Sequence, residues 1–127
     1  MKTINYAPSC IAVNEGNGKF TIQKLPLSLQ LSCVNSILCT DLNKDGYPDL
    51  VMGGNSFAFL PQFARMDASL GHVLLNNTKG DFTALSNKQS GLELCGVIRD
   101  IKEIPSKNGR YLLILQNDEW PALFRIK

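Results

Sequence analysis

A run of oxygen-bearing side chains at residues 41–49 has the spacing of a cation site. The run reads Asp-Leu-Asn-Lys-Asp-Gly-Tyr-Pro-Asp, with carboxylate or amide oxygens at positions 1, 3, 5 and 9 and glycine at position 6. Hard cations such as Ca²⁺ take about six to eight oxygen ligands, and glycine permits the sharp turn that brings the chain back. The ligands predicted for one Ca²⁺ are the side chains of Asp41, Asn43, Asp45 and Asp49 and the backbone carbonyl of Tyr47.

Two other interpretations of this loop compete with calcium binding. An EF-hand shares the first nine positions but needs glutamate at position 12 and a helix on each side. Position 12 is Met52, inside a run typical of a β-strand, so an EF-hand is excluded. A solvated Asp/Asn/Gly turn between two strands would use the same residue types. The five correctly spaced matches favour calcium, because three aspartates this close repel one another strongly without a cation.

The elements that must position this loop are predicted to be β-strands. Short β-favouring runs bounded by Gly, Asn, Asp or Pro recur along the chain, and no window shows a clean apolar stripe of helical period. We therefore predict an all-β chain of antiparallel, four-stranded propeller-type blades. The predicted strands lie near 10–14, 19–24, 33–41, 50–54, 71–76, 81–85, 96–104, 110–116 and 122–126.

The chain contains a diverged internal repeat with an offset of 62 residues. Residues 11–21 align with 73–83, and in both copies an apolar triplet leads through a Gly/Asn loop into Phe-Thr. The same offset places Cys33 on Cys95. A period of about 60 residues with four short strands fits a propeller blade. The predicted array comprises the end of one blade at 10–25, a complete blade at 33–85 and an incomplete blade at 95–127.

The acidic loop and its flanks resemble the FG-GAP/VCBS-type repeat of β-propeller proteins. The resemblance is carried by Asp-x-Asn-x-Asp-Gly-x-x-Asp-Leu-Val from residue 41, by Gly-Gly-Asn at 53–55, and by Leu-Leu-Asn and Gly-x-Phe within 74–82. In that family the acidic loop binds Ca²⁺ between the first two strands of a blade. The literal Phe-Gly and Gly-Ala-Pro signatures are absent, and the second copy of the loop, at 100–109, carries lysines where oxygens are needed. We expect no metal at that second copy.

The resemblance implies a non-catalytic calcium-binding module for binding or adhesion, with a protein or carbohydrate ligand. Two alternatives stay open: a propeller segment of a glycan-active enzyme, and a purely structural fragment. An enzyme of that kind needs paired acid and base residues in one pocket, whereas Glu93, Glu103 and Glu119 stand singly in the sequence. The apolar connection 54–71 is expected to fold over one face of the propeller. It is either part of a binding surface, with Arg65 and Asp67 as polar contacts, or a packed insertion.

The overall composition excludes several other classes of protein. The 127 residues, 44% hydrophobic and 19% charged, predict one globular domain. A net charge of +2 with scattered basic residues argues against nucleic-acid binding, and no long apolar run predicts membrane insertion. The N-terminus lacks the apolar region of a signal peptide, while the resemblance implies a parent protein that is extracellular, periplasmic or at the cell surface.

The rarer residues lead to four further expectations. The lone His72 should be structural. Trp120 should pack on a sheet edge, with stacking on a sugar as the alternative. The cysteines lack a CxxC pair and the chain has a single histidine, so the sequence does not predict a zinc site. We expect four reduced, buried thiols at Cys10, Cys33, Cys39 and Cys95. Incomplete outer units would expose apolar faces and strand edges. We therefore expect either a homo-oligomer, with a dimer as the first choice, or a compact arrangement in which the N-terminal strand pair packs against the incomplete last unit.

Overall fold

The computed structural model describes residues 3–58, 65–78 and 80–127, and in these ranges the chain is all-β with antiparallel pairing throughout. The predicted all-β class is confirmed. Two helical turns that the periodicity did not predict join the sheets, a 3-10 turn at Leu27–Gln30 and α1 at Asn87–Ser90. No helix in the described ranges is long and apolar enough to cross a membrane. The strands are β1 (Cys10–Gly16), β2 (Lys19–Lys24), β3 (Val34–Thr40), β4 (Asp49–Gly54), β5 (His72–Asn76), β6 (Phe82–Ala84), β7 (Ile98–Ser106), β8 (Gly109–Gln116) and β9 (Ala122–Ile126).

The strands form three sheets in which neighbours in sequence pair with each other. The first sheet is the hairpin β1-β2, the second has the order β3-β4-β5-β6, and the third has the order β7-β8-β9. Tight turns whose residues have a positive φ allow neighbouring strands to pair. Asn17 (φ 52°) and Gly18 (φ 75°) form such a turn between β1 and β2. Each sheet is therefore a meander of antiparallel strands.

The second sheet is covered on both faces and forms the middle layer. Consecutive residues of β4 enter different cores, because side chains alternate between the two faces of a strand. The core between the second and third sheets includes Val51, Val73, Ile98, Ile101, Leu112 and Ile114. The core on the opposite face contains Leu25, Leu29, Met52 and Leu74, with Ile11 of the first sheet packed against it.

Two glycines at the end of β4 allow this close layering. A Cβ on Gly53 would lie 2.5 Å from Cδ1 of Ile98 in the third sheet. A Cβ on Gly54 would lie 1.6 Å from the carbonyl oxygen of Cys33. The Gly-Gly pair is therefore required by packing, both between sheets and within the second sheet.

The structure corrects the expected burial of the cysteines and of Trp120. All four thiols are free, as expected, but Cys10, Cys39 and Cys95 are exposed and only Cys33 is half-buried. Residue type favours burial, but the place of each residue in the fold decides it. Cys10 alternates with Ile11, which packs toward the second sheet, so the Cys10 side chain points outward. Cys39 pairs with Leu50 but stays exposed on β3, and Cys95 lies outside the strands, in the segment before β7. The Trp120 side chain is 90% exposed, since the turn between β8 and β9 holds it clear of the sheet.

The expected second copy of the acidic loop is a tight hairpin in the structure. Residues 100–106 belong to β7, and the ladder with β8 continues to the pair Ser106 and Gly109. The apolar residues of this stretch favour strand pairing; Ile101, for example, is buried in the core with the second sheet. The residues aligned with the acidic loop are therefore mostly strand residues.

Candidate functional site

The predicted calcium loop connects β3 to β4 and is closed at its base by the sheet itself. Thr40, the last residue of β3, pairs with Asp49, the first residue of β4. Lys44 (φ 64°) and Gly46 (φ 89°) adopt the left-handed conformation that reverses the chain. The sheet thus holds both ends of the loop and leaves its tip in solvent.

Asp41 organises the first half of the loop through its carboxylate. Its Oδ1 atom accepts hydrogen bonds from the backbone N–H of Lys44 (2.7 Å) and Asp45 (3.2 Å). Its Oδ2 atom accepts from the N–H of Gly46 at 2.9 Å. Three backbone donors therefore fix this carboxylate and wind the loop around it.

Asn43 and Asp45 form the exposed tip of the loop and bind each other. The Asn43 Nδ2 group donates to Asp45 Oδ2 at 2.9 Å, and Asn43 Oδ1 accepts from the Asp45 N–H at 3.1 Å. Asp45 Oδ1 accepts from the N–H of Tyr47 at 2.9 Å. The polar side chains predicted as ligands are thus held by short-range hydrogen bonds within the loop.

Asp49 is fully buried and ties the loop to β5. Its Oδ2 atom accepts from the Leu42 N–H and its Oδ1 atom from the Asn76 N–H, both at 2.9 Å. A buried carboxylate needs such donors, because an unpaired buried charge is costly. Asp49 therefore has a structural role that does not depend on any cation.

The loop offers oxygen ligands of the kinds that a hard cation prefers. In the part of the chain that the structure describes, no three His, Cys, Asp or Glu side chains are grouped to hold a metal. Each carboxylate or amide oxygen has two lone pairs. Asp41 Oδ2, Asn43 Oδ1 and the oxygens of Asp45 and Asp49 each accept one hydrogen bond from the described residues. A second lone pair remains on each of these oxygens, so binding a cation need not break the bonds that shape the loop.

A cluster of three side chains fastens the base of the loop to the third sheet. Arg110 binds Glu103 with two hydrogen bonds, at 2.6 Å and 3.0 Å, and donates to the Thr40 hydroxyl at 2.9 Å. The Thr40 hydroxyl also donates to Glu103. The hydrogen bonds from Arg110 first, and from Thr40 second, lower the pKa of Glu103 to about 2. Glu103, which stands singly in the sequence, is therefore held as a carboxylate beside the loop.

This cluster predicts a specific loss of stability in acid. Because the pKa of Glu103 is about 2 in the folded protein and about 4.5 without its partners, the unfolded state binds more protons between these values. The contribution of Glu103 is complete above about pH 5 and is lost as the pH falls toward 2. The free energy of unfolding of the Glu103→Gln variant, measured with urea, should therefore fall less over this window than that of the wild type.

The exposed Glu119 provides a control for the acid measurement. It lies in the turn between β8 and β9 and has no ion pair among the described residues. The Glu119→Gln variant should follow the wild-type pH dependence. An identical fall in the Glu103→Gln variant and the wild type would contradict the assigned role of the cluster.

Asn55 is the buried polar residue whose role the sequence did not reveal. Its Oδ1 atom accepts from the Ser32 hydroxyl at 2.8 Å and from the Ser69 N–H at 2.9 Å. Its Nδ2 group donates to the carbonyls of Ser69 (2.7 Å) and Gly96 (3.1 Å). We call these four residues the Asn55 network. It joins the segments that enter β3, β5 and β7.

Ser69 also lies 3.1 Å from Nε2 of His72, which opens β5. A serine and a histidine at this distance are typical of a nucleophile and its base. The Ser69 side chain is only 1% exposed, however, and its hydroxyl also accepts from the Gly71 N–H at 3.3 Å. Burial lowers the pKa of His72. The pair stabilises the turn into β5.

A cavity of about 700 Å³ lies between the connection after β4 and the turn between β8 and β9. One wall carries Arg65, whose guanidinium carbon is 3.9 Å from the ring centre of Phe57. Arg65 is one of the two polar contacts that the sequence predicts for this connection. The other, Asp67, is not among the described residues that line the cavity. Residues 59–64 of the connection lie outside the described ranges. Glu93 and Glu119, isolated in the sequence, line the same cavity.

Comparisons of this chain with models of protein families, with curated proteins and with solved structures find no match. No family is therefore assigned to the chain. Its function is inferred from the acidic loop, the layered sheets and the cavity.

Proposed function

We propose that this chain is a non-catalytic, calcium-binding module of the β-propeller type that binds a protein or carbohydrate ligand at the cell surface or outside the cell. The observation that supports it best is the loop between β3 and β4. Its oxygen-bearing side chains have the spacing predicted for calcium ligands, and Lys44 and Gly46, which both have a positive φ, reverse the chain. The resemblance to FG-GAP/VCBS-type repeats implies a loop of this type between the first two strands of a blade.

The proposed Ca²⁺ is held by the side chains of Asp41, Asn43, Asp45 and Asp49 and by the Tyr47 carbonyl. Calcium suits a flexible loop because it accepts irregular geometry and several kinds of oxygen, whereas Mg²⁺ demands a near-ideal octahedron. A bound Ca²⁺ offsets the repulsion among the three carboxylates. Its main effect is to make the exposed tip of the loop rigid.

The layering of the sheets supports the propeller type. A propeller blade is a four-stranded antiparallel sheet that packs between two others. The second sheet has four strands in meander order, and both of its faces are covered by apolar packing. The two faces are covered by consecutive parts of the same chain, as a blade array requires.

The cavity beside Arg65 is the proposed contact region for the ligand. Its volume lies within the range of about 300–1,000 Å³ that is common for ligand sites. An aromatic ring, two arginines and several acidic side chains share its wall, among them Phe57, Arg65, Arg99, Glu93, Asp118 and Glu119. This mixture suits a polar ligand that offers hydroxyl groups or both signs of charge.

Calorimetric titration with CaCl₂ tests the metal site directly. We expect one Ca²⁺ per chain with a dissociation constant on the order of 10⁻⁴ to 10⁻³ M, as in extracellular modules. Asp45→Ala should abolish the binding, because it removes a charged ligand from the tip. Asp45 is the residue to change because its contacts stay within the loop, whereas Asp49 also ties the loop to β5.

Two further variants make the titration specific. Asp45→Asn keeps an oxygen that can accept from the Tyr47 N–H and should weaken calcium binding through the lost charge alone. Asp118→Ala removes an exposed aspartate from the turn between β8 and β9 and should bind calcium as the wild type does. No heat of calcium binding in the wild type, or unchanged binding by Asp45→Ala, would refute the proposal.

A further inference from the structure

The two outer sheets expose apolar side chains on the faces that point away from the second sheet. On the first sheet, Phe20 is 55% and Ile22 is 51% exposed. On the third sheet, Leu115 is 37% and Leu123 is 61% exposed. The strand register also places Leu123 on the outer face of the third sheet. Leu123 pairs with Leu113, and both neighbours of Leu113 on β8 belong to the inner core.

The repeat relates the outer face of the first sheet to a face that is covered in the second sheet. The offset of 62 places Phe20 on Phe82 and Ile22 on Ala84. Phe82 and Ala84 pack into the core that the second sheet shares with the segment before it. The outer face of the first sheet is therefore equivalent to a face that packs against a preceding layer.

The outer face of the third sheet corresponds to the other face of the second sheet, which packs against the layer that follows it. The offset places Val51 on Leu113 and Gly53 on Leu115. Val51 lies in the core with the third sheet, and Gly53 approaches Ile98 of that sheet. The outer face of the third sheet is therefore equivalent to a face that packs against a following layer.

We propose that copies of this chain associate head to tail, with the outer face of the third sheet of one copy packed on the outer face of the first sheet of the next. This contact repeats the layering that the chain already makes on both sides of its second sheet. The two faces are unlike, so the interface is heterologous and generates a ring or an open filament. The association does not depend on calcium.

The charges on the outer face of the third sheet are compatible with this packing. Lys102 pairs in register with Leu113, which puts it on the outer face, and its ammonium group lies 3.5 Å from Asp100. The ion pair leaves this part of the face nearly neutral. The exposed Arg125, opposite Tyr111 on the edge strand β9, lies on the same face and can keep its guanidinium group in solvent. The apolar residues around it can therefore be buried without stranding an isolated charge.

Sedimentation velocity from micromolar to millimolar concentration, with two single variants, tests the proposal. The wild type should grow in mass with concentration. Leu123→Lys blocks the face of the third sheet, and Ile22→Lys blocks the face of the first sheet. Each variant alone should be monomeric, because every head-to-tail contact then contains one blocked face. Their equimolar mixture should form a dimer with one copy of each, because one intact pair of complementary faces remains.

Ile37→Lys is the matched control, since Ile37 is 56% exposed on β3 and belongs to neither outer face. It should associate as the wild type does, and circular dichroism should show that all three variants are folded. A wild type that stays monomeric throughout would overturn the proposal. So would a mixture that stays monomeric, or an Ile22→Lys variant that still dimerises alone, which would indicate that like faces pair.

Discussion

Replacing Asn55 by alanine is expected to lower the free energy of unfolding by more than about 4 kcal/mol, or to prevent folding altogether. The change leaves the N–H and carbonyl of Ser69 and the carbonyl of Gly96 without this partner. The Ser32 hydroxyl keeps only its longer hydrogen bond to the Met66 carbonyl, at 3.4 Å. Each buried polar group left unpaired costs about 1–3 kcal/mol. Alanine must also adopt the φ of 80° found at Asn55, which adds about 1–2 kcal/mol.

Urea denaturation of Asn55→Ala beside Asn17→Ala separates these two causes. Asn17 also has a positive φ, 52°, but it is exposed in the turn between β1 and β2. Asn17→Ala therefore carries the backbone cost without the buried hydrogen bonds, and it should lose no more than about 2 kcal/mol. Similar losses in the two variants would show that the Asn55 network contributes little.

The second large effect is expected from Gly54→Ala. The added methyl group would lie 1.6 Å from the carbonyl oxygen of Cys33, a backbone atom of the residue just before Val34, which pairs with Gly54. No side-chain rotation relieves such a contact, so the pairing of β3 with β4 must shift. Overpacking typically costs about 1–3 kcal/mol and occasionally more. Because the clash is with backbone, we expect a loss of about 3 kcal/mol, seen as a low thermal midpoint or insoluble protein.

Gly96→Ala provides the control for this substitution. Its methyl group would meet Oε1 of Gln116 at 2.3 Å, which is the far end of a flexible side chain. Gln116 can rotate away, so the free energy of unfolding should change by less than about 1 kcal/mol. Equal tolerance of both substitutions would mean that β4 has more room than the layered sheets indicate.

The strands and the acidic loop were predictable because their signals are local. The period of two, the bounding glycines and the spacing of Asp41, Asn43 and Asp45 all lie within a few residues of one another. The single turn α1 was missed, although its Ser86 cap is a local signal as well. Four residues are too few to show a helical period.

The contacts that fasten the loop and the layers could not be predicted in the same way. Glu103 stands alone in the sequence, yet its partners are Arg110 on the neighbouring strand and Thr40 on another sheet. The exposure of the cysteines likewise depends on where the fold places each one rather than on residue type. Such features become visible only when the pairing of distant segments is known.

The Asn55 network has a consequence for the order of folding. Its hydrogen bonds join residues separated by 23 positions (Ser32), 14 positions (Ser69) and 41 positions (Gly96), so three chain closures must come first. The hairpins β1-β2, β3-β4 and β7-β8 close over shorter stretches, for example from Gly16 to Lys19, and can form earlier. We therefore expect the network to form after the folding transition state, so that breaking it speeds unfolding and leaves refolding nearly unchanged. Asn55 is then the residue that sets how long the folded state persists, while the hairpins set how quickly it is reached.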